Sequence, residues 1–459
     1  MNAMFGVRWN DNVKRGTLAG FMVAALFATS FLSTPEAQQS LSTATSNFVS
    51  VIVRSEPGTN GDRIARVVQD LGGTVEEELK IINGYVAKVP ADRVHQLKSN
   101  PAVSSVTMNG RVQMLSHDDY GLEEYARDVG SLNYVAQGAT GAVGYYRSGY
   151  TGRGVDVALI DSGVAPVEGL TRAGKVVYGP DLSFESQVDG LRDNDTFGHG
   201  THMAGIIAGM DSTFERGVPF FAGVAPEARV VSVKVADSGG ATDVSQIIAA
   251  IDWVVQHRND NGMNIRVLNL SFGTDGTQDY RLDPLTYAAE VAWRKGIVVV
   301  VAAGNNGYGS AKLNNPAYDP FVISVGGSDT KGTWTTSDDT LGEFSSHGDG
   351  SRNPDVVAPG KSIVSLRTPG SAVDVTYPQG QVGERFFRGS GTSQAAAVVS
   401  GAAALIIDQR PGITPDQVKA LLTKTADRLP AADSRGQGAG LIDLREAKRT
   451  STPWNATQL

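Results

Sequence analysis

The sequence predicts an α/β architecture, a parallel sheet flanked by helices, preceded by a small α+β unit of ferredoxin-like order. Three observations carry that prediction. Beyond Gly152, near-continuous apolar runs alternate with amphipathic helical stretches, as they do when a parallel sheet is covered on both faces. Between Phe48 and Met108, short strand and helix patterns follow one another as βαββαβ. The 459 residues, 41% hydrophobic and 19% charged, hold enough apolar material for one large domain and one small one.

Residues 1–40 stand apart. Arg8, Lys14 and Arg15 precede an apolar stretch at 18–32, and small and polar residues follow through Ser33, Ala37 and Ser40. This is the layout of a secretory signal, which would make the protein extracellular. The stretch is long for a signal core and short for a membrane span, so an uncleaved N-terminal anchor is the alternative reading.

The small unit is expected over 47–113. Residues 48–53 alternate as a strand; Ile64, Val67, Val68 and Leu71 then share one helical face, with Gly72 as a stop. Strand patterns at 74–79 and 84–89, a short helix carrying Val94 and Leu97 before Pro101, and a strand at 103–108 complete it. From 111 to 144 the pattern dissolves into acidic, Gly-containing sequence, so 114–144 reads as a linker. The large unit is expected over 145–448, with a tail at 449–459. Its strand patterns are 155–160, 230–235, 266–270, 297–302 and 321–325. Val244, Ile247, Ile248, Ile251, Val254 and Val255 form a helical seam, and Thr414, Pro415 and Gln417 begin another helix with a capping box.

The net charge of -8 argues against nucleic acid or an anionic membrane surface as partner. Absence of cysteine excludes disulfides, thiolate zinc sites and a cysteine nucleophile.

Three motifs carry the candidate chemistry. Asp161, in ALIDSGV, ends the first strand of the large unit, where the crevice of an open parallel sheet lies; alone it could equally be a turn or cap residue. His199, in GHGTHMAGIIAG, opens a helix whose Met203, Ile206 and Ile207 face inward, with His202 as a competing candidate and a metal-binding histidine pair as a rival reading. Ser393, in SGTSQAAAVVSGAAALI, precedes a long Ala-rich helix, where backbone N–H groups favour a developing anion; alone it is also an ordinary cap. Together they supply the nucleophile, base and orienting carboxylate that acyl transfer by serine requires.

In this order DSG, HGTHMAG and GTSQAA resemble the subtilisin-like serine proteases, over about 145–447. The resemblance implies a serine endopeptidase with Asp161 as orienting acid, His199 as general base and Ser393 as nucleophile. VVAAGNNG at 300–307 is similar to the segment whose asparagine donates to the oxyanion, here Asn305, and alone reads as a turn. LNLSFG at 268–273 is similar to the strand edge that pairs with extended substrate, implying Ser271, Phe272 and Gly273 as backbone-binding residues. The specificity pocket is expected to include Ala302, Ala303 and Gly304, with 315–318 nearby. The small unit, through NGYVAKVP and AVSSVTMNGRV, is similar to the family's inhibitory propeptide. This implies a zymogen that removes its own propeptide within 111–144, with polypeptide substrates and its own propeptide as inhibitor, working as a monomer. No cofactor is required by that chemistry. Asp211 and Glu215 are oxygen ligands in principle for structural calcium, but 210–221 departs from the family's calcium loop and reads as solvated. Gln394 and Ala397 stand where many relatives have Met and Pro.

Overall fold

In the computed structural model, residues 47–114, 131–213, 220–274, 278–309, 313–333 and 335–458 are described. The segment 1–40, residues 115–130 of the expected linker and Glu215 lie outside them. Asn47–Leu459 forms one compact unit.

The small unit contains β1 (Phe48–Ser55), α1 (Gly61–Asp70), β2 (Thr74–Leu79), β3 (Gly84–Pro90), α2 (Val94–Lys98) and β4 (Val103–Met108). Its sheet order, β2-β3-β1-β4 with every pair antiparallel, is the ferredoxin-like arrangement that the element order predicts. The Asn60 side chain accepts from the Asp62 N–H to start α1, and Gly72 beyond its end adopts φ +78°. Ile64 and Val68 of α1 pack with Val51, Val53, Ala87 and Val89 on one face of the sheet. On the other face Ile52, Leu79, Ile82 and Val86 join the core of the large unit. Complete burial of Ile52 there is worth roughly 1.5–3 kcal/mol.

The sequence pattern between 111 and 144 is weak, yet much of it is ordered secondary structure. Arg111–Met114 is a strand, β5, and Leu132–Tyr134 and Val143–Tyr146 are helical. Leu132, Val135 and Tyr145 are buried in the main core. Each piece is too short to show a period, and its partners are remote in sequence; the Lys448 ammonium, for example, donates to the Gly144 carbonyl at 2.8 Å.

The large unit continues with β6 (Asp156–Asp161), β7 (Val176–Asp181), α3 (His199–Ala208), β8 (Arg229–Lys234), β9 (Ala241–Asp243), α4 (Val244–His257), β10 (Ile265–Leu270), β11 (Phe272–Gly273), α5 (Pro284–Arg294), β12 (Val298–Ala302), β13 (Ile323–Asp329), β14 (Thr340–Leu341) and β15 (Val356–Pro359). Three further helices, α6 (Thr392–Gln409), α7 (Pro415–Thr425) and α8 (Leu444–Arg449), follow. The central sheet runs β14-β13-β12-β10-β6-β8-β7, with β15 beside β13 and all pairs parallel except β13–β14. All five expected strands are present. The sequence reading lacked β7, an edge strand with no fully buried residue, and β15, four residues closed by Pro359. The α4 seam and the Thr414–Gln417 capping box are as expected. Helix α6 is buried from Thr392 to Ile407, so its side chains there, Gln394 apart, are small or apolar all round and it crosses the centre of the unit. Among the described residues, no helix is long and apolar enough to cross a membrane.

Candidate active site

The site gathers at the carboxyl end of β6 and the amino ends of α3 and α6, where an open parallel sheet offers its crevice. Asp161 is the last residue of β6 and is 1% exposed. His199 is the first residue of α3, and its Nδ1 lies 2.9 and 3.0 Å from the two Asp161 carboxylate oxygens. The approach is close because residue 200 is glycine: a Cβ there would lie 2.1 Å from the Gly163 carbonyl oxygen. The Ser162 N–H donates to Asp161 Oδ1 at 2.8 Å, fixing the carboxylate from behind.

Asp195 completes this corner, although no motif marks it. It is wholly buried and accepts from the Gly198 and Thr201 N–H groups, both at 2.7 Å, and from the Ser162 hydroxyl at 2.8 Å. It therefore caps α3 in place of Gly198, which has no side chain to do so. Burial pushes its carboxyl above the usual range, against the pull of those donors. The signal available in sequence was an aspartate three residues before a helix-opening glycine.

Ser393 is fully buried in the first turn of α6. Its hydroxyl donates to the Ser271 carbonyl at 3.1 Å. The Ser271 Oγ in turn accepts from the Asn269 amide at 2.7 Å, and Asn269 Oδ1 accepts from Ser400 of α6 at 2.8 Å. Asn269 thus ties the end of β10 to α6, a role that a buried strand residue does not advertise in sequence.

Asn305 follows β12 through Gly304, whose φ of +112° turns the chain toward α6. Its Oδ1 accepts from both the N–H and the hydroxyl of Thr392, each at 2.9 Å. Its Nδ2 is buried and has no hydrogen-bond partner among the described residues. A donor held by its own acceptor, beside the residue that precedes Ser393, is poised to receive an anion.

His202 lines the same pocket as His199 but is engaged elsewhere. Its Nε2 lies 3.1 Å from the Phe387 carbonyl, and burial beside His199 lowers its pKa to about 4. The two imidazoles of the motif engage different partners, which disfavours the shared-metal reading.

The cleft has two edges. β5 lies between β11 and β9 as the central strand of a three-stranded antiparallel sheet, with Met114 opposite Phe272, Gln113 opposite Gly273 and Val112 opposite Thr242. Phe272 and Gly273 pair here with the chain's own strand; the opposite edge, Ala241–Asp243 with Gly240, was not foreseen. Ala302 and Ala303 are buried where β12 ends, and Asn314 lies beside both Gly304 and Gly273, bringing the expected pocket next to the strand edge. Asp211 is not a solvated loop residue: it is 6% exposed, with Oδ1 2.6 Å from Arg385 and Oδ2 accepting from the Phe221 N–H. Its carboxylate is thus engaged by a cation of the chain itself.

The subtilase family model matches residues 152–440, and a putative peptidase inhibitor domain matches 32–109. Serine protease AprX of Bacillus subtilis (strain 168) is 38% identical over 331 residues, 70% of this chain and 72% of that protein. Subtilisin E of the same organism is 33% identical over 387 residues, 83% of this chain and 84% of that one. The crystal structure of fervidolysin from Fervidobacterium pennivorans, described as a keratinolytic enzyme related to subtilisin, superposes with a TM-score of 0.68 at 24% identity. That superposition covers 89% of this chain and 62% of fervidolysin, and it carries the fold. The chain belongs to the subtilase family, as a serine protease with an inhibitor-type propeptide domain ahead of its catalytic domain.

Proposed function

We propose that the protein is a secreted, monomeric endopeptidase made as a self-processing zymogen, with Asp161, His199 and Ser393 as its triad. The observation that supports this most is the seat of β5, because the chain's own residues Arg111–Met114 occupy the cleft as a substrate strand would. A strand there is bound through backbone groups, which suits polypeptides of varied sequence. The small domain then serves as inhibitor until the connection behind β5 is cut.

In this mechanism Ser393 Oγ attacks the carbonyl carbon of the bound peptide while His199 Nε2 takes its proton. Asp161, hydrogen-bonded at Nδ1, holds the ring in the tautomer whose Nε2 is the acceptor, and stabilises the imidazolium. The oxyanion receives the Asn305 Nδ2 donor and the Ser393 N–H, at the positive end of the 18-residue helix α6. His199 passes the proton to the leaving amine, and water then hydrolyses the ester. Ser271, Phe272 and Gly273 bind substrate backbone on one side, and Ala302, Ala303 and Gly304 wall the pocket for the side chain before the cut bond. The basic and apolar character of 1–40 supports export.

Ser393→Ala tests the reading: the variant should remain an unprocessed precursor without peptidase activity, and wild type should be inactivated by a serine-directed phosphonate. Normal turnover in the variant would remove Ser393 from the mechanism. Every group in the chemical step belongs to the chain, so chelation of divalent ions should leave turnover of the folded enzyme within about twofold. Immediate loss of activity with the circular dichroism unchanged would contradict a metal-independent step.

A further inference from the structure

Asp339, the residue before β14, carries a buried carboxylate that the chain leaves without a counterpart. It is 2% exposed, and its Oδ1 has no hydrogen-bond partner among the described residues. Lys331, a cation of the same connection, is engaged elsewhere, its ammonium 2.6 Å from Asp329 Oδ2. Burial, with Asp338 and Asp329 near, pushes the Asp339 carboxyl up to about 7. A carboxylate so placed either keeps its proton or meets a positive charge from outside the chain.

The surroundings favour the second outcome. Asp339 lines a cavity of about 200 Å³ together with Tyr134, Thr330, Thr333, Thr336 and Asp427. The donors these residues offer are oxygens: two carboxylates, a phenol, and the hydroxyl and main-chain oxygens of the threonines. Three stretches remote in sequence meet here, namely the helical turn Leu132–Tyr134, the connection from β13 to β14, and the residue two places beyond α7. Asp427 is half-buried and fixed through its main chain, which exchanges hydrogen bonds of 2.7 and 2.8 Å with Leu441. Arg445 also lines the cavity, but its guanidinium donates to the Gly138 carbonyl and lies 3.6 Å from Asp443, so its charge is shared with groups other than Asp339. Among the described residues no three His, Cys, Asp or Glu side chains come together, which argues against a transition-metal cage. Two carboxylates with neutral oxygens, in a space that also leaves room for waters on the ion, are the donor set of calcium; magnesium demands a tighter, near-octahedral shell. We propose that this cavity is a structural Ca2+ site, with Asp339 and Asp427 as its charged ligands, which clips the connection from β13 to β14 against Tyr134 and Asp427. The ion neutralises Asp339 and joins three stretches in a chain that has no cysteine to cross-link them. It takes no part in the chemical step, so its signature is stability.

The test uses phosphonate-inhibited enzyme, so that self-digestion does not intervene, stripped with chelator and titrated with CaCl2 by calorimetry beside Asp339→Asn prepared in the same way. Wild type should bind one more equivalent of Ca2+ than the variant. At about a hundredfold excess over its Kd, the ion should raise Tm by roughly 2–4 °C more in wild type than in Asp339→Asn. MgCl2 at the same concentration should not reproduce that difference, and the uninhibited variant should turn over within about twofold of wild type. If Asp339→Asn does not fold, Asp427→Asn on the half-buried ligand is read in its place, with affinity at this site weaker by at least about tenfold. Equal stoichiometry, affinity and Tm response in wild type and variant would overturn the proposal and leave Asp339 as a protonated buried acid. A response to Mg2+ equal to that to Ca2+ would overturn the choice of ion.

Discussion

The proposed mechanism gives Asn305 two jobs on one side chain, and they can be separated. Its Oδ1 accepts two hydrogen bonds from Thr392, including the N–H at the start of α6, where Gly391 offers no capping side chain. Its Nδ2 has no partner among the described residues. Asn305→Ala removes both. Losing a single oxyanion donor costs about 10²- to 10³-fold in turnover, roughly 3–4 kcal/mol. Leaving the buried Thr392 donor unsatisfied costs about 1–3 kcal/mol of stability, which for a unit of this size lowers Tm by roughly 1–3 °C. Asn305→Asp keeps the acceptor for Thr392 and puts a carboxylate oxygen where the donor was. Its Tm should stay near wild type, yet turnover should fall at least as far as in the alanine variant, because like charges about 4 Å apart repel by roughly 4 kcal/mol at an effective dielectric constant of 20. Both variants would be matured with an unrelated, separable protease, their active sites titrated, and kcat, KM and Tm measured on one preparation. KM should change by less than about threefold, since the donor meets full charge only in the transition state. An Asn305→Asp enzyme turning over within about threefold of wild type would refute the oxyanion role and leave Asn305 as a helix cap.

Two further predictions concern the frame around the site. Asn109 of the small domain accepts from the Ser245 N–H at the start of α4 at 3.0 Å, so Asn109→Ala should weaken the hold of the released domain by about 2- to 30-fold, from a cap worth 0.5–2 kcal/mol; an inhibition constant unchanged within about 1.5-fold would contradict it. His202 is held neutral with its pKa lowered from 6.5 to about 4, so between those values the unfolded chain binds a proton that the folded chain refuses; the associated stability is complete above about pH 6.5 and lost as pH falls toward 4, a change of roughly 3 kcal/mol. Denaturant unfolding of the phosphonate-inhibited enzyme at pH 7 and 4.5 should show that loss in wild type and much less of it in His202→Gln; equal losses in the two would place the acid sensitivity elsewhere.

What could be read from the sequence, and what could not, divides along the distance over which the fold makes its contacts. The ends of β6, α3 and α6 are written as local motifs, because a strand end, a glycine that permits close approach and a helix-opening residue must stand next to one another in the chain. Asp161, His199 and Ser393 are legible for that reason, and the contact between Asp161 and His199 follows from two such motifs meeting across the sheet. β5 and β9 are not legible, since a four-residue strand and a three-residue strand have no period of their own. β5 acquires its structure from β9 on one side and β11 on the other, and β9 from β5, at positions more than a hundred residues apart. The same holds for Asp195, whose meaning lies in three donors gathered by α3 and β6, and for Asn109, which caps a helix of the other domain. The consequence for function is that the chemical groups are specified locally while the cleft is specified by long-range pairing. A substitution in β9 or β11 that disturbs the ladder should therefore change which bond is cut before it changes how fast a well-seated bond is broken. The two meet at Ser271, whose carbonyl accepts from Ser393 Oγ and whose own Oγ accepts from the Asn269 amide.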